Sequence, residues 1–171
     1  MEEHTGIISM KGNPLTLLGD QLQIGAAAPE FELLDNELSK VKRSSFHGRI
    51  CVISAVPSLD TPVCDMETRR FNEEAGNLGP DVSIITVSMD LPFAQKRWCG
   101  AAGVEKVMTL SDHFDAGFGT AYGVLIKELR LLARAVFVVD REGIIRYIQI
   151  VKEVTNEPDY DEVIEAVKNL V

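Results

Sequence analysis

Ile50-Cys51-Val52-Ile53-Ser54-Ala55-Val56-Pro57-Ser58-Leu59-Asp60-Thr61-Pro62-Val63-Cys64 is the stretch that decides the fold. Its first seven residues form a continuous, largely β-branched apolar run. A strand with one wet face alternates apolar and polar residues, whereas an unbroken run belongs to a central strand covered on both faces. Pro57 ends the run. After a short turn, Pro62 opens a helix-compatible segment reaching Ala75, with Val63, Met66, Arg70 and Phe71 near helical spacing and Gly76 as its stop.

The same grammar repeats downstream. Val82 to Val87 is a second buried strand, and Pro92 opens a helix running to about Ala101, with Gly103 beyond its end. Val107 to Leu110 reads as a short strand, Phe114 to Tyr122 as a short helix stopped by Gly123, and Ala135 to Val139 as another buried strand. A hairpin around Arg141-Glu142-Gly143 returns along Ile144 to Ile150. Pro158 then starts an amphipathic helix with Tyr160, Val163, Ile164, Val167 and Leu170 on one side. Upstream, Ile7 to Met10 and Leu15 to Leu18 flank Lys11-Gly12-Asn13-Pro14, which predicts an N-terminal β-hairpin over about residues 6–18. Residues 25–43 read mostly as loop, with a short strand at Phe31-Glu32-Leu33.

Alternating strands and helices predict an α/β fold, and the late hairpin adds antiparallel pairing, so the central sheet is expected to be mixed and flanked by helices. This outline is thioredoxin-like, although other small three-layer folds share its spacing. No repeat, low-complexity tract or linker interrupts it, so one domain over residues 1–171 is expected.

Composition narrows the function classes. Hydrophobic residues make up 46% and charged residues 25%, as in a folded globular chain. With 17 Lys and Arg against 26 Asp and Glu, the formal charge of -9 opposes phosphate backbones and anionic lipid surfaces. Nucleic-acid and membrane partners are not expected. The start, Met1-Glu2-Glu3-His4, has no basic region leading into an apolar stretch, and no apolar run approaches the ~18 residues of a membrane span. Three widely spaced cysteines do not form a disulfide framework, so a reducing, cytoplasmic setting is expected, in which cysteine is more useful chemically than structurally.

Cys64 is the residue best placed for chemistry. With Thr61 as cap and Pro62 as the first helical residue, it falls in the first helical turn, where free backbone N–H groups point at its sulfur. A thiol with an ordinary pKa near 8.5 is only about 3% thiolate at neutral pH, and the thiolate is the nucleophile; a helix N-terminus with a nearby cation can bring a cysteine pKa to about 3.5–7.5. The Thr61 hydroxyl is in reach of the sulfur or of an incoming substrate oxygen. Three arginines compete as the cation: Arg69 and Arg70 on the same helix, and Arg134, which stands where the strand Ala135 to Val139 begins and could donate two hydrogen bonds to substrate oxygens. Cys51, inside the apolar strand, reads as structural. His4, His47 and His113 are scattered and no Cys-x-x-Cys pair exists, so no metal or other cofactor is expected. Gly117-Phe118-Gly119 with Gly123 reads as packing and a helix stop. Glu73-Glu74 and Asp159-Asp161-Glu162 read as solvated helix faces.

The pattern filled by Pro57, Thr61 and Cys64 resembles the peroxiredoxin active-site signature. The longer string Ser58 to Cys64, with Arg69-Arg70-Phe71-Asn72, resembles the bacterial thiol peroxidase subfamily. Cys99-Gly100-Ala101, Leu110-Ser111-Asp112, Ala121-Tyr122-Gly123, Ala133-Arg134-Ala135-Val136 and Glu157-Pro158-Asp159-Tyr160 extend the similarity along essentially the whole chain. The chain departs from that pattern at Trp98, where phenylalanine is usual, and at Ala102. The resemblance implies a thioredoxin-like fold and a peroxidase of the atypical two-cysteine type. Cys64 would attack the hydroperoxide, and Cys99 would resolve the sulfenic acid into an intrachain disulfide. Thr61 and Arg134 would orient the peroxide, with Pro57 shielding the site, and the resemblance ranks Arg134 above Arg69 and Arg70. It also implies thioredoxin or a similar dithiol as reductant, and a homodimer. Cys99 follows Trp98 near a helix end, Gly100-Ala101-Ala102-Gly103, that buries little side chain and should fray, which suits a disulfide between cysteines on two helices.

Three rivals remain: a cysteine hydrolase using Cys64 with His47 or His113, a non-catalytic thioredoxin-like interaction module, and a dithiol redox sensor. The first two leave Cys99 without a purpose.

Overall fold

A computed structural model describes residues 1–171. In chain order the elements are β1 (Glu3–Met10), β2 (Asn13–Leu18), β3 (Glu32–Leu34), β4 (Lys40–Lys42), β5 (Ile50–Ala55), α1 (Pro62–Leu78), β6 (Val82–Ser88), α2 (Pro92–Ala102), β7 (Val107–Ser111), α3 (Gly117–Ala121), β8 (Leu125–Ile126), β9 (Leu131–Leu132), β10 (Ala135–Val139), β11 (Ile145–Ile150) and α4 (Tyr160–Lys168).

The apolar run that opened the sequence analysis is β5, and all six of its residues are buried. It lies inside a seven-stranded mixed sheet of order β11-β10-β5-β6-β7-β3-β4. β5, β6 and β7 are parallel, while β10 runs antiparallel to β5 and β11 antiparallel to β10. Because side chains alternate across a strand, Ile50 and Val52 join the core that α1 and α4 cover through Phe71, Leu78, Val163 and Val167. Cys51, Ile53 and Ala55 point to the opposite core, which holds Phe118, Tyr122 and Leu132. Both faces of β5 are thus dry, which is why its sequence shows no alternation.

The N-terminal hairpin forms as expected, closed by Lys11 and Gly12, both at positive φ, between paired Met10 and Asn13. It does not stand alone. β2 pairs with β8, and β8 with β9, completing a second antiparallel sheet of order β1-β2-β8-β9. Two-residue strands carry too little periodicity to be legible in sequence.

Three boundaries move. α1 passes through Gly76 and ends at Leu78, with Gly79 at φ 97° as its stop, because a glycine inside a helix costs only about 1 kcal/mol and does not by itself terminate it. α3 is shorter than Phe114 to Tyr122: Ala116 takes a left-handed conformation, and Asp112 accepts the N–H groups of Phe118 and Gly119, so the helix starts only at Gly117. α4 starts after Pro158, capped by the Asp159 carboxylate, which accepts the Glu162 N–H. Residues 32–42, read mostly as loop, contain the β3–β4 hairpin at the sheet edge.

Candidate active site

The turn from β5 into α1 is anchored from outside. Asp90, just past β6, accepts the Ser58 hydroxyl at 2.7 Å and the Leu59 N–H at 2.9 Å. This brace was not found from the sequence, since it joins segments thirty residues apart. Thr61 occupies the cap position, but its hydroxyl donates to the Ser58 carbonyl at 2.9 Å rather than capping the helix or reaching the sulfur. Its oxygen lone pairs remain available as acceptors. Asp65 makes the first helical bond, to Thr61, so the N–H groups of Val63 and Cys64 have no intrahelical acceptor. Cys64 is therefore in the first turn, as expected, and Pro57 is buried in the turn before it.

The buried face of α1 is not the one the apolar spacing suggested. Met66 is 49% exposed and Arg70 lies outside, while Cys64, Glu67, Thr68 and Phe71 are buried at helical positions i, i+3, i+4 and i+7. Hydropathy misdirects here because the inward face carries a charge. Arg134 lies directly before β10 and is 2% exposed. Its Nη1 donates to Cys64 Sγ at 3.2 Å and to Glu67 Oε2 at 2.6 Å, and its Nε donates to the Val154 carbonyl at 3.0 Å. Nη2 makes no hydrogen bond within the chain. Glu67 also accepts the hydroxyl of Ser54, the one polar residue of β5, at 2.8 Å. Arg69 pairs with Asp65 and Arg70 with Glu74 on the outer face, so neither competes with Arg134 for the sulfur.

Burial pushes the Glu67 carboxyl above the ordinary carboxylate range, and the Arg134 charge pulls it back. Burial also works against the Arg134 charge, but Glu67 and then Cys64 outweigh it and hold the guanidinium protonated. Glu67 thus neutralises an otherwise isolated buried cation. It was missed although Glu at i+3 from a buried cysteine is a readable signal. Arg134 and the amide end of α1 together present positive charge and hydrogen-bond donors to the sulfur.

The sulfur itself is closed off, with Cys64 0% exposed beneath Val56, Leu59 and the Trp98 ring. An open cleft lined by Leu59, Asp60, Thr61, Pro62, Asp65 and Trp98 lies beside it. Cys99 is partly exposed on the far side of Trp98, and its sulfur meets the Thr109 hydroxyl on β7 at 3.3 Å. All three cysteines are free thiols, and the structure does not bring Cys64 and Cys99 together. No histidine contacts Cys64, which removes the base a cysteine hydrolase would need.

A buried cysteine in the first turn of a helix, with a buried arginine on its sulfur, thus sits beyond the end of β5 in a thioredoxin-like sheet. Comparison with known proteins agrees. The family profile described as Redoxin matches residues 23–164. A thiol peroxidase of Halalkalibacterium halodurans is 56% identical over 94% of this chain and 96% of its own length, and one of Bacillus subtilis is 55% identical over 96% and 98%. A crystal structure of a peroxiredoxin-like protein from Aquifex aeolicus superposes with a TM-score of 0.91 at 43% identity, covering 98% of this chain and 99% of that one. The chain belongs to the redoxin family and, within it, to the thiol peroxidases.

Proposed function

We propose that this protein is a cysteine-based thiol peroxidase that reduces hydrogen peroxide and organic hydroperoxides, with Cys64 as the attacking residue. The observation that carries this reading is the 3.2 Å contact of the Arg134 guanidinium with the Cys64 sulfur in the first turn of α1. A permanent cation and unpaired helix amides face the sulfur before substrate arrives, where they can stabilise charge as the O–O bond breaks.

The Cys64 thiolate attacks one peroxide oxygen, the O–O bond breaks, and the departing oxygen takes a proton to leave as water or alcohol; Cys64 is oxidised to the sulfenic acid. Arg134, with its free Nη2, and the Val63 and Cys64 N–H groups donate to the peroxide oxygens. The Thr61 oxygen accepts the peroxide O–H, and buried Pro57 keeps water from the sulfur. The Cys99 thiol then condenses with the sulfenic acid, losing water and leaving an intrachain disulfide, which thioredoxin or a similar dithiol reduces. Arg134 supplies the charge stabilisation, so none of these steps calls for a metal or organic cofactor.

The cycle suits a cytoplasmic, reducing environment and one domain built on residues 1–171. No helix is long and apolar enough to cross a membrane. A homodimer is part of the same reading, supported by exposed Leu91, Phe93 and Phe114 near the Asp90 brace.

The test is stoichiometric hydroperoxide added to reduced protein, with mass spectrometry of the cysteines and dithiol-dependent turnover. Cys64→Ser is expected to abolish peroxide consumption, and Cys99→Ser to allow one turnover that stalls as the sulfenic acid. Normal turnover by Cys64→Ser would refute the proposal.

A further inference from the structure

Cys64 and Cys99 cannot bond while each keeps the partner it has in this structure. Cys64 touches Arg134, at the start of β10, and Cys99 touches Thr109, on β7. β10 and β7 are three inter-strand steps apart, roughly 14 Å at about 4.8 Å per step. Both sulfurs are free thiols with separate partners, whereas a disulfide needs them ~2.0 Å apart. One of the two cysteines must leave its place. Cys64 is held in a packed, charge-compensated core, so the mobile partner is the end of α2.

What holds that end is unusual for a helix. Of its eleven residues only Pro92 and Gln95, both in the first half, are buried. The second half packs only the partly buried Trp98 and Ala102 against the core and is tied to α1 by polar contacts on either side of Cys99. The Trp98 indole N–H donates to Asp65 Oδ1 at 2.9 Å. Arg69 clamps the same carboxylate, its Nε 3.1 Å and 3.0 Å from the two oxygens, and its Nη1 donates to the Ala102 carbonyl at 3.3 Å. The guanidinium also lies 5.8 Å from the centre of the Trp98 ring. Asp65 and Arg69 sit one turn apart on the helix that carries Cys64 and face the ring that covers it.

We infer that Asp65 and Arg69 are positioning residues for disulfide formation: together they form a catch on Trp98 and Ala102 whose opening sets how fast Cys99 reaches oxidised Cys64. The inference rests on the disulfide cycle proposed above. Its consequence is a partition. While the catch is shut, the Cys64 sulfenate can react with a second hydroperoxide, breaking its O–O bond to give the sulfinate and an alcohol or water; once it opens, Cys99 displaces water from the sulfenic acid instead. A tighter catch therefore makes the protein easier to inactivate at high peroxide.

Trp98 is the chain's one tryptophan and reports on its own release. Reduced protein is mixed rapidly with hydrogen peroxide and Trp98 fluorescence followed, with parallel acid quench and mass spectrometry of Cys64. Two steps are expected, one proportional to peroxide and one independent of it. Arg69→Met removes the clamp while keeping the fluorophore, and should speed the peroxide-independent step by roughly three- to tenfold, the effect of a hydrogen bond or two on a rate. Its peroxide-dependent step should stay unchanged, and its sulfinate yield at fixed peroxide should fall in proportion. Arg69→Lys should restore part of the slow step. Trp98→Phe, followed by quench alone, should show the same acceleration of disulfide formation. A peroxide-independent step unchanged in both Arg69→Met and Trp98→Phe, in proteins that melt cooperatively, would overturn the catch while leaving the peroxidase reading intact. A wild-type protein whose Cys64 is not oxidised at all would overturn both.

Discussion

Cys51 lies near the start of β5 and Cys64 in the first turn of α1 that follows it, and both are out of water, 3% and 0% exposed. Cys51 faces an apolar core, its thiol makes no hydrogen bond, and burial pushes that thiol up to about 12 against the weaker pull of Arg43 and Arg49. Cys64 has the same burial but a guanidinium on its sulfur and the open amides of α1 around it. Burial alone penalises a thiolate, so the difference between the two sites lies in who supplies a charge beside the sulfur. The supplier is not local. Arg134 is seventy residues downstream and is itself compensated by Glu67, which Ser54 in turn holds by its hydroxyl.

The sharpest way to break this contrast is to remove the cation. Arg134→Met should lower the second-order rate with hydroperoxide by roughly 10²–10³-fold, the usual loss when one preorganised donor is deleted, measured by stopped flow under excess peroxide. The same variant strands Glu67 without its partner and should lose about 3–5 kcal/mol of stability in urea titrations; restoring stability but not rate with Arg134→Met plus Glu67→Gln would separate the two roles.

The other side of the comparison predicts a pH effect with a definite sign. In the folded chain burial lets Cys51 hold its proton up to about 12, whereas in the unfolded chain it ionises near 9.0. Stability contributed by the neutral thiol is complete below 9.0 and is lost as pH rises toward 12, at about 1.4 kcal/mol per pH unit. Urea midpoints between pH 8.5 and 10.5 should fall less steeply in Cys51→Ala than in the parent protein. The smallest effect is on catalysis: Cys51→Ala should keep the peroxide rate within about twofold, because the site is far from the substituted atom and shares no partner with it.

Much of this molecule can be read from its residues. The unbroken apolar run of β5, the Pro62 that starts α1 and the turn between them place Cys64 in a first helical turn without further information. The pattern around Pro57, Thr61 and Cys64 also pointed to the right family. Less legible was the inward face of α1, where the helical spacing of Val63, Met66, Arg70 and Phe71 drew attention and Glu67 did not. The reading failed for a physical reason: Glu67 is buried because a cation is buried against it, and that cation lies just before β10, far along the chain. The β8 and β9 strands and the outward bond of the Thr61 hydroxyl escaped for a related one, since short pairings and single hydrogen bonds leave no periodic trace.

Local chemistry in the sequence thus determined which sulfur sits at a helix entrance and which lies in an apolar strand, because strand burial and helix starts are written in consecutive residues. The fold alone decided which arginine reaches that sulfur, which carboxylate balances it, and how far Cys99 stands from its target. Those are matters of strand order and of distances across a sheet, and charges act through space rather than along the chain.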